Sequence, residues 1–215
     1  MVFGQLPYDV AHLLGGLMLL CAFALLAQRR LEAVVKALAA QGVVLGLAAL
    51  WQGWVQAAPQ LYLTGLIAIA AKGVLIPLVL GRMLRALPPQ ARQEDAPVAF
   101  SLLIALVLVG LALLVALPIT AGSRALLRMD LAIALSLLLL GLVMMGTRRL
   151  ALSQVAGLMA VENGVLLAAI GVAGMPFLVE ISTAGLVLTV GLLAGVLARG
   201  MAGQDTGLLD RHRGR

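Results

Sequence analysis

Charge is what this sequence has least of. Only 11% of its 215 residues are Asp, Glu, Lys or Arg, against roughly a quarter in a soluble domain. A chain so poor in charge cannot clothe a water-facing surface, which excludes an ordinary soluble enzyme. Cysteine is almost missing. Cys21 is the only one, so neither an internal disulfide nor a cysteine-rich metal cluster can form. The two histidines, His12 and His212, stand near opposite ends of the sequence and offer no metal-ligand spacing. No Gly-rich phosphate loop, nucleophile triad, haem ligand pair or redox cysteine motif occurs. No catalytic residue, metal site or cofactor is therefore expected in this chain. Period-two alternation is lacking too, which excludes a transmembrane β-barrel. No Lys or Arg precedes the first apolar run in MVFGQLPYDVAHLL, so that run is expected as a retained helix rather than a secretory signal.

What is present is hydrocarbon. Apolar residues make up 63% of the chain and the mean hydropathy is +1.12. In lipid a backbone without barrel alternation can satisfy its polar groups only as helices. The expected fold class is all-α, a polytopic integral membrane protein. At about 20 residues per crossing, seven spans fall near 10–28, 34–56, 61–85, 98–118, 129–147, 150–172 and 176–198. Together they make one helical bundle over 1–199. The segment PPQARQEDAP at 88–97 is the one long polar connection, and GQDTGLLDRHRGR is expected as a mobile cytoplasmic tail over 200–215.

The basic residues test this count. With the N-terminus outside and seven crossings, Arg29, Arg30, Lys36, Arg82, Arg85, Arg92, Arg148, Arg149, Arg199, Arg211, Arg213 and Arg215 all lie at inner ends. Only Arg124 and Arg128 lie outside. Twelve against two obeys the rule that cytoplasmic loops are basic. Trp51, Trp54, Tyr62, Tyr8 and Phe177 all fall at outer ends, as interfacial aromatics do. The net charge of +6 thus records an orientation, N-terminus outside and C-terminus cytoplasmic, and not a nucleic-acid partner.

Lys72, Glu162 and Glu180 lie within spans. An ionisable group at a helix centre costs roughly 2.5–3.5 kcal/mol on insertion scales, so it has a partner or a task. Lys72 and Glu162 fall near mid-membrane. Either they form a fixed ion pair that sets helix register, or they relay protons, with burial and a nearby charge poising the carboxylate between states. Glu180 lies just past Pro176, where it either favours a helix dipole or shares the task. In the sixth span, Ser153, Gly157, Ala160, Gly164, Ala168 and Gly171 form a ridge of small residues suited to close helix packing. Glu162 points to nearly the opposite side, so this helix must be covered on both faces, by the bundle or by a neighbouring subunit. Asn163 lies between the faces. Gln41, Gln154 and Ser153 read first as interhelical glue and second as polar steps on a water path. Pro77 is expected to kink the third span and free carbonyls near Lys72.

The run TRRLALSQVAGLMAVENGVLLAAIGVAGMPFLVEI, Thr147 to Ile181, resembles the hydrogenase-4 component E family of formate hydrogenlyase-type, group 4 hydrogenase assemblies. The third span, AAKGVLIPLVLGRMLRAL, is similar to the lysine-and-proline helix of the same family. The last three spans, 129–198, are also similar to the small K-type subunit of respiratory complex I. There a basic pair precedes a helix with the pattern Gly-x-Glu-x-x-x-Asn, and a later helix carries a second glutamate. Gly157 and Asn163 keep the six-residue spacing, while Glu162 stands about one turn later on roughly the same face. Glu180 lies earlier in its helix than its counterpart. The resemblance implies a non-catalytic membrane-arm subunit of a complex I-like oxidoreductase complex in the bacterial inner membrane. Glu162, Lys72 and Glu180 would form its proton-translocation path, supported by Asn163, Gln154 and Gln41. Implied partners are antiporter-like and quinone-arm-like membrane subunits and a peripheral nickel–iron hydrogenase module. A scaffold subunit that conducts nothing, or a small free-standing transporter, are the alternatives.

Overall fold

Apolar runs punctuated by Pro, Gly and paired basic residues become helices that end where the punctuation falls. The computed structural model describes residues 6–119, 125–171 and Gly185. Its helices are α1 (Leu6–Ala27), α2 (Leu31–Val55), α3 (Pro59–Ile67), α4 (Ile76–Ala86), α5 (Val98–Ile119), α6 (Ala125–Thr147) and α7 (Ala151–Gly171). A π-helical segment, Ala68–Leu75, joins α3 to α4 in one continuous rod. No strand occurs among the described residues, only an isolated bridge between Arg30 and Gln93.

Among the described residues, five helices are long and apolar enough to cross a membrane: α1, α2, the α3–α4 rod, α5 and α7. In α6 the apolar stretch Leu131–Thr147 is shorter than these spans. Apart from Gly185, the expected seventh span at 176–198, with Phe177 and Glu180, and the tail at 200–215 lie outside the described residues.

Successive helices run up and down. Trp51 donates its indole N–H to the Pro7 carbonyl at 3.1 Å, and the Gln56 amide reaches the Ile170 carbonyl at 2.9 Å. Those contacts bring residues 7, 51–56 and 170 to one end of the bundle. Residues 26–30, 92–94 and 148–153 meet at the other end, where Arg29, Arg92 and Arg148 gather. Aromatic and basic residues thus occupy opposite ends, with Trp51 and Trp54 rings 5.1 Å apart and Tyr62 and Tyr8 exposed beside that end.

The turn between α2 and α3 is tight. Ala57 adopts φ 51°, and the Ala58 N–H reaches back to the Gly53 carbonyl at 3.0 Å. This is the helix-ending arrangement that normally takes glycine at the left-handed position. Pro59 then opens α3, where its missing N–H costs no helical bond.

In the bundle, α2 packs against α1, the rod and α7, while α6 packs against α1, α5 and α7. Leu25, Leu38, Leu45, Leu137 and Met159 are among the residues filling the shared core. The small-residue ridge of α7 lies on α6. A Cβ on Gly141 would sit 2.7 Å from the Gly157 carbonyl oxygen, so only glycine permits this approach of the two backbones. The outer face of α5 is bare hydrocarbon, Leu106 and Leu114 being mostly exposed. Water would not tolerate such a face; acyl chains do.

Candidate functional site

Close packing brings the polar residues together. Gly42 of α2 lies against the backbone of the π segment, where a Cβ would stand 2.6 Å from the Lys72 carbonyl carbon. That contact holds the Lys72 backbone against α2. The side chain then reaches α7, where its ammonium lies 2.7 Å from the Glu162 carboxylate. Lys72 is 2% exposed and Glu162 12%. The same ammonium donates a hydrogen bond to Asn163 Oδ1 at 3.0 Å. Asn163 Nδ2 in turn donates to Gln41 Oε1 of α2 at 3.2 Å.

Four polar side chains from three helical rods therefore form one buried chain: Glu162, Lys72, Asn163 and Gln41. Asn163 and Gln41 are completely buried. At the far end, Gln41 Nε2 has no acceptor among the described residues. A buried donor without a partner costs about 1–3 kcal/mol, so the series ends on an open donor rather than closing on itself. At the near end, the Glu162 carboxylate faces Gly185, where a Cβ would run into it. The carboxylate is covered by protein on both sides, as the opposed faces of α7 require.

The π segment has a local cause. Pro77 has no N–H to offer the Gly73 carbonyl one α-turn back, or the Lys72 carbonyl one π-turn back. Where a kink was expected, the structure shows a widened stretch, Ala68–Leu75, with Lys72 inside it. Such segments recur at functional sites because they re-aim a side chain without ending the helix.

Gln154 does not join the buried chain; it is exposed, and its Nε2 donates to the Arg148 carbonyl at 2.9 Å. Eight residues before Glu162 means about 12 Å along a helix axis, too far to support that carboxylate. Ser153 is not glue between helices either. Its hydroxyl donates to Glu94 Oε2 at 2.7 Å. Glu180 lies outside the described residues.

Glu94 forms a second buried polar cluster that the sequence reading passed over. Its Oε1 accepts the backbone N–H groups of Arg149 and Leu150, at 2.5 Å and 2.9 Å, where α7 begins. Its own backbone N–H donates to the Arg29 carbonyl at 2.9 Å. The Arg148 guanidinium, 3% exposed, lies 3.8 Å from Oε2 and donates to the Leu26 carbonyl at 2.5 Å. Burial lowers the Arg148 pKa from its usual value, Glu94 raises it and Arg29 lowers it; a guanidinium stays protonated regardless. One carboxylate thus caps a helix, neutralises a buried cation and ties down the 88–97 connection. The available signal was slight: a lone polar connection containing Glu, and a basic pair heading a helix.

Among the described residues no group of three or more His, Cys, Asp or Glu could hold a metal ion. No family model, no curated protein and no solved structure matches the chain.

Proposed function

We propose that this chain is a membrane-arm subunit of a complex I-like, group 4 hydrogenase-type redox complex, and that it hands protons through Glu162 and Lys72, with Asn163 and Gln41 in support. On this reading the bundle has seven spans with the N-terminus outside and the C-terminus cytoplasmic. It sits in the bacterial inner membrane beside antiporter-like and quinone-arm-like subunits, under a peripheral nickel–iron module. Glu180, on the seventh span, would continue the path towards the outer surface.

The observation that carries the reading is the buried chain of polar groups at mid-helix in an otherwise apolar bundle. A pair serving register alone needs only Lys72 and Glu162. Here the lysine is also bonded to an amide, that amide to a second, and the second keeps an uncommitted N–H. A proton can pass between the Lys72 ammonium and the Glu162 carboxylate, while the amides of Asn163 and Gln41, which keep their own protons, hold the lysine in place. The family assignment rests on the residues of 147–181 and of the third span.

A scaffold reading has its own support in the 2.7 Å ion pair, because a close buried pair is also a register device. Purification of the full chain from its native membranes tests the proposal. Recovery with antiporter-like and quinone-arm-like subunits and a nickel–iron large subunit is expected. A chain isolated alone, or only as a homo-oligomer, contradicts it and favours a transporter.

A further inference from the structure

At the basic end of the bundle, two open grooves share Glu32 as a common wall. One, of about 410 Å³, is bounded by Arg30, Pro89 and Arg92. The other, of about 260 Å³, lies between α2 and α4 and is bounded by Val35, Lys36, Gly81, Leu84 and Arg85. Arg92 is already committed, with Nη1 3.3 Å from Glu32 Oε1 and its other nitrogens on the Leu87 and Arg85 carbonyls. That commitment also uses the only carboxylate among the described residues that line either groove. Arg30, Lys36 and Arg85 are left without a carboxylate partner among the described residues.

We infer that the grooves form a binding site for one anionic phospholipid, with its phosphate between Lys36 and Arg85 and its remaining headgroup towards Arg30. Charge complementarity supplies the anion. The lipid source follows from the apolar continuation of the groove. Its apolar walls are Val35 and Leu84, and Val74 and Leu78, about half exposed, precede Gly81 and Arg85 at the three- and four-residue spacings that share a helix face. A free phosphate would gain nothing from that surface, whereas acyl chains would lie along it. Gly81 sits at the junction, and a Cβ there meets nothing within 4 Å. The space beside it is therefore open to a ligand.

Full-length protein in phosphatidylcholine nanodiscs, titrated with dioleoylphosphatidylglycerol, tests the site. The expected preference for the anionic lipid is about thirtyfold, two basic side chains acting near a lipid surface. It should fall to near unity in the double variant Lys36→Gln with Arg85→Gln. It should also be lost in Gly81→Leu, which keeps every charge and fills open space, with the thermal midpoint in phosphatidylcholine unchanged. Millimolar inorganic phosphate should not displace the lipid. Retention of the preference in either variant would mean diffuse surface charge and would overturn the site. Displacement by inorganic phosphate would overturn the lipid as its occupant.

Discussion

At the scale of single residues, the account rests on Lys72 and Glu162 being worth more together than apart. Removing one member of a buried pair leaves the other charge uncompensated, at about 3–5 kcal/mol, whereas replacing both with apolar groups is often neutral. Lys72→Met alone should therefore lower the thermal midpoint of the solubilised chain sharply. Adding Glu162→Leu should restore it while leaving proton movement lost. If the double variant instead recovers both stability and coupled activity, the scaffold reading holds. These two residues were legible in the sequence because an ionisable group within an apolar run has few innocent explanations. Asn163 was legible through its neighbour. Gln41 was only half legible: a glutamine in a span serves glue or path equally well, and only the fold shows it bonded to Asn163 beside the ion pair. Glu94 was illegible, since a carboxylate in a polar connection looks solvated until the chain folds it onto α7.

At the scale of the elements, caps and connections set how firmly the site is framed. Glu94→Ala removes the acceptor for two N–H groups at the start of α7 and strands Arg148, so a loss of about 3 kcal/mol is expected. Glu94→Gln keeps one acceptor and should lose less. Thermal unfolding ranks the two, and proteolysis within 88–97 should rise in the same order; equal resistance to wild type would remove the strap from the account. In the opposite direction, Ala57→Gly relieves a left-handed alanine and should stabilise by about 1 kcal/mol, read as a raised thermal midpoint. Helix positions were readable because breaks fall at Arg29–Arg30, at Ala57–Pro59 and in the Pro-rich 88–97 connection. Expected limits of 34–56 and 150–172 became Leu31–Val55 and Ala151–Gly171. The π segment was not readable. Pro77 announces a disturbance, but not that it takes the form of eight widened residues ahead of the proline.

At the scale of the whole molecule, separation of aromatic from basic ends gives the bundle a direction. On a Cys21→Ala background, single cysteines at Gln60 and Gln90, both exposed, should react with a membrane-impermeant maleimide from opposite sides. Gln60 should label from outside in intact cells and Gln90 only after the membrane is opened; the reverse pattern would invert the proposed topology. Orientation was inferred from charge counts, which sum over many loops and so tolerate errors in any one span. The ends that meet in space were beyond such counts, because contacts such as Trp51 with Pro7 depend on packing. The most direct test of the central claim is proton translocation by the purified complex, reconstituted into vesicles and carrying Glu162→Gln. Glutamine keeps the shape and hydrogen bonds of the site but has no proton to exchange. Loss of translocation with the complex fully assembled and its redox turnover retained is the expected result. Undiminished translocation by that assembled variant would contradict it.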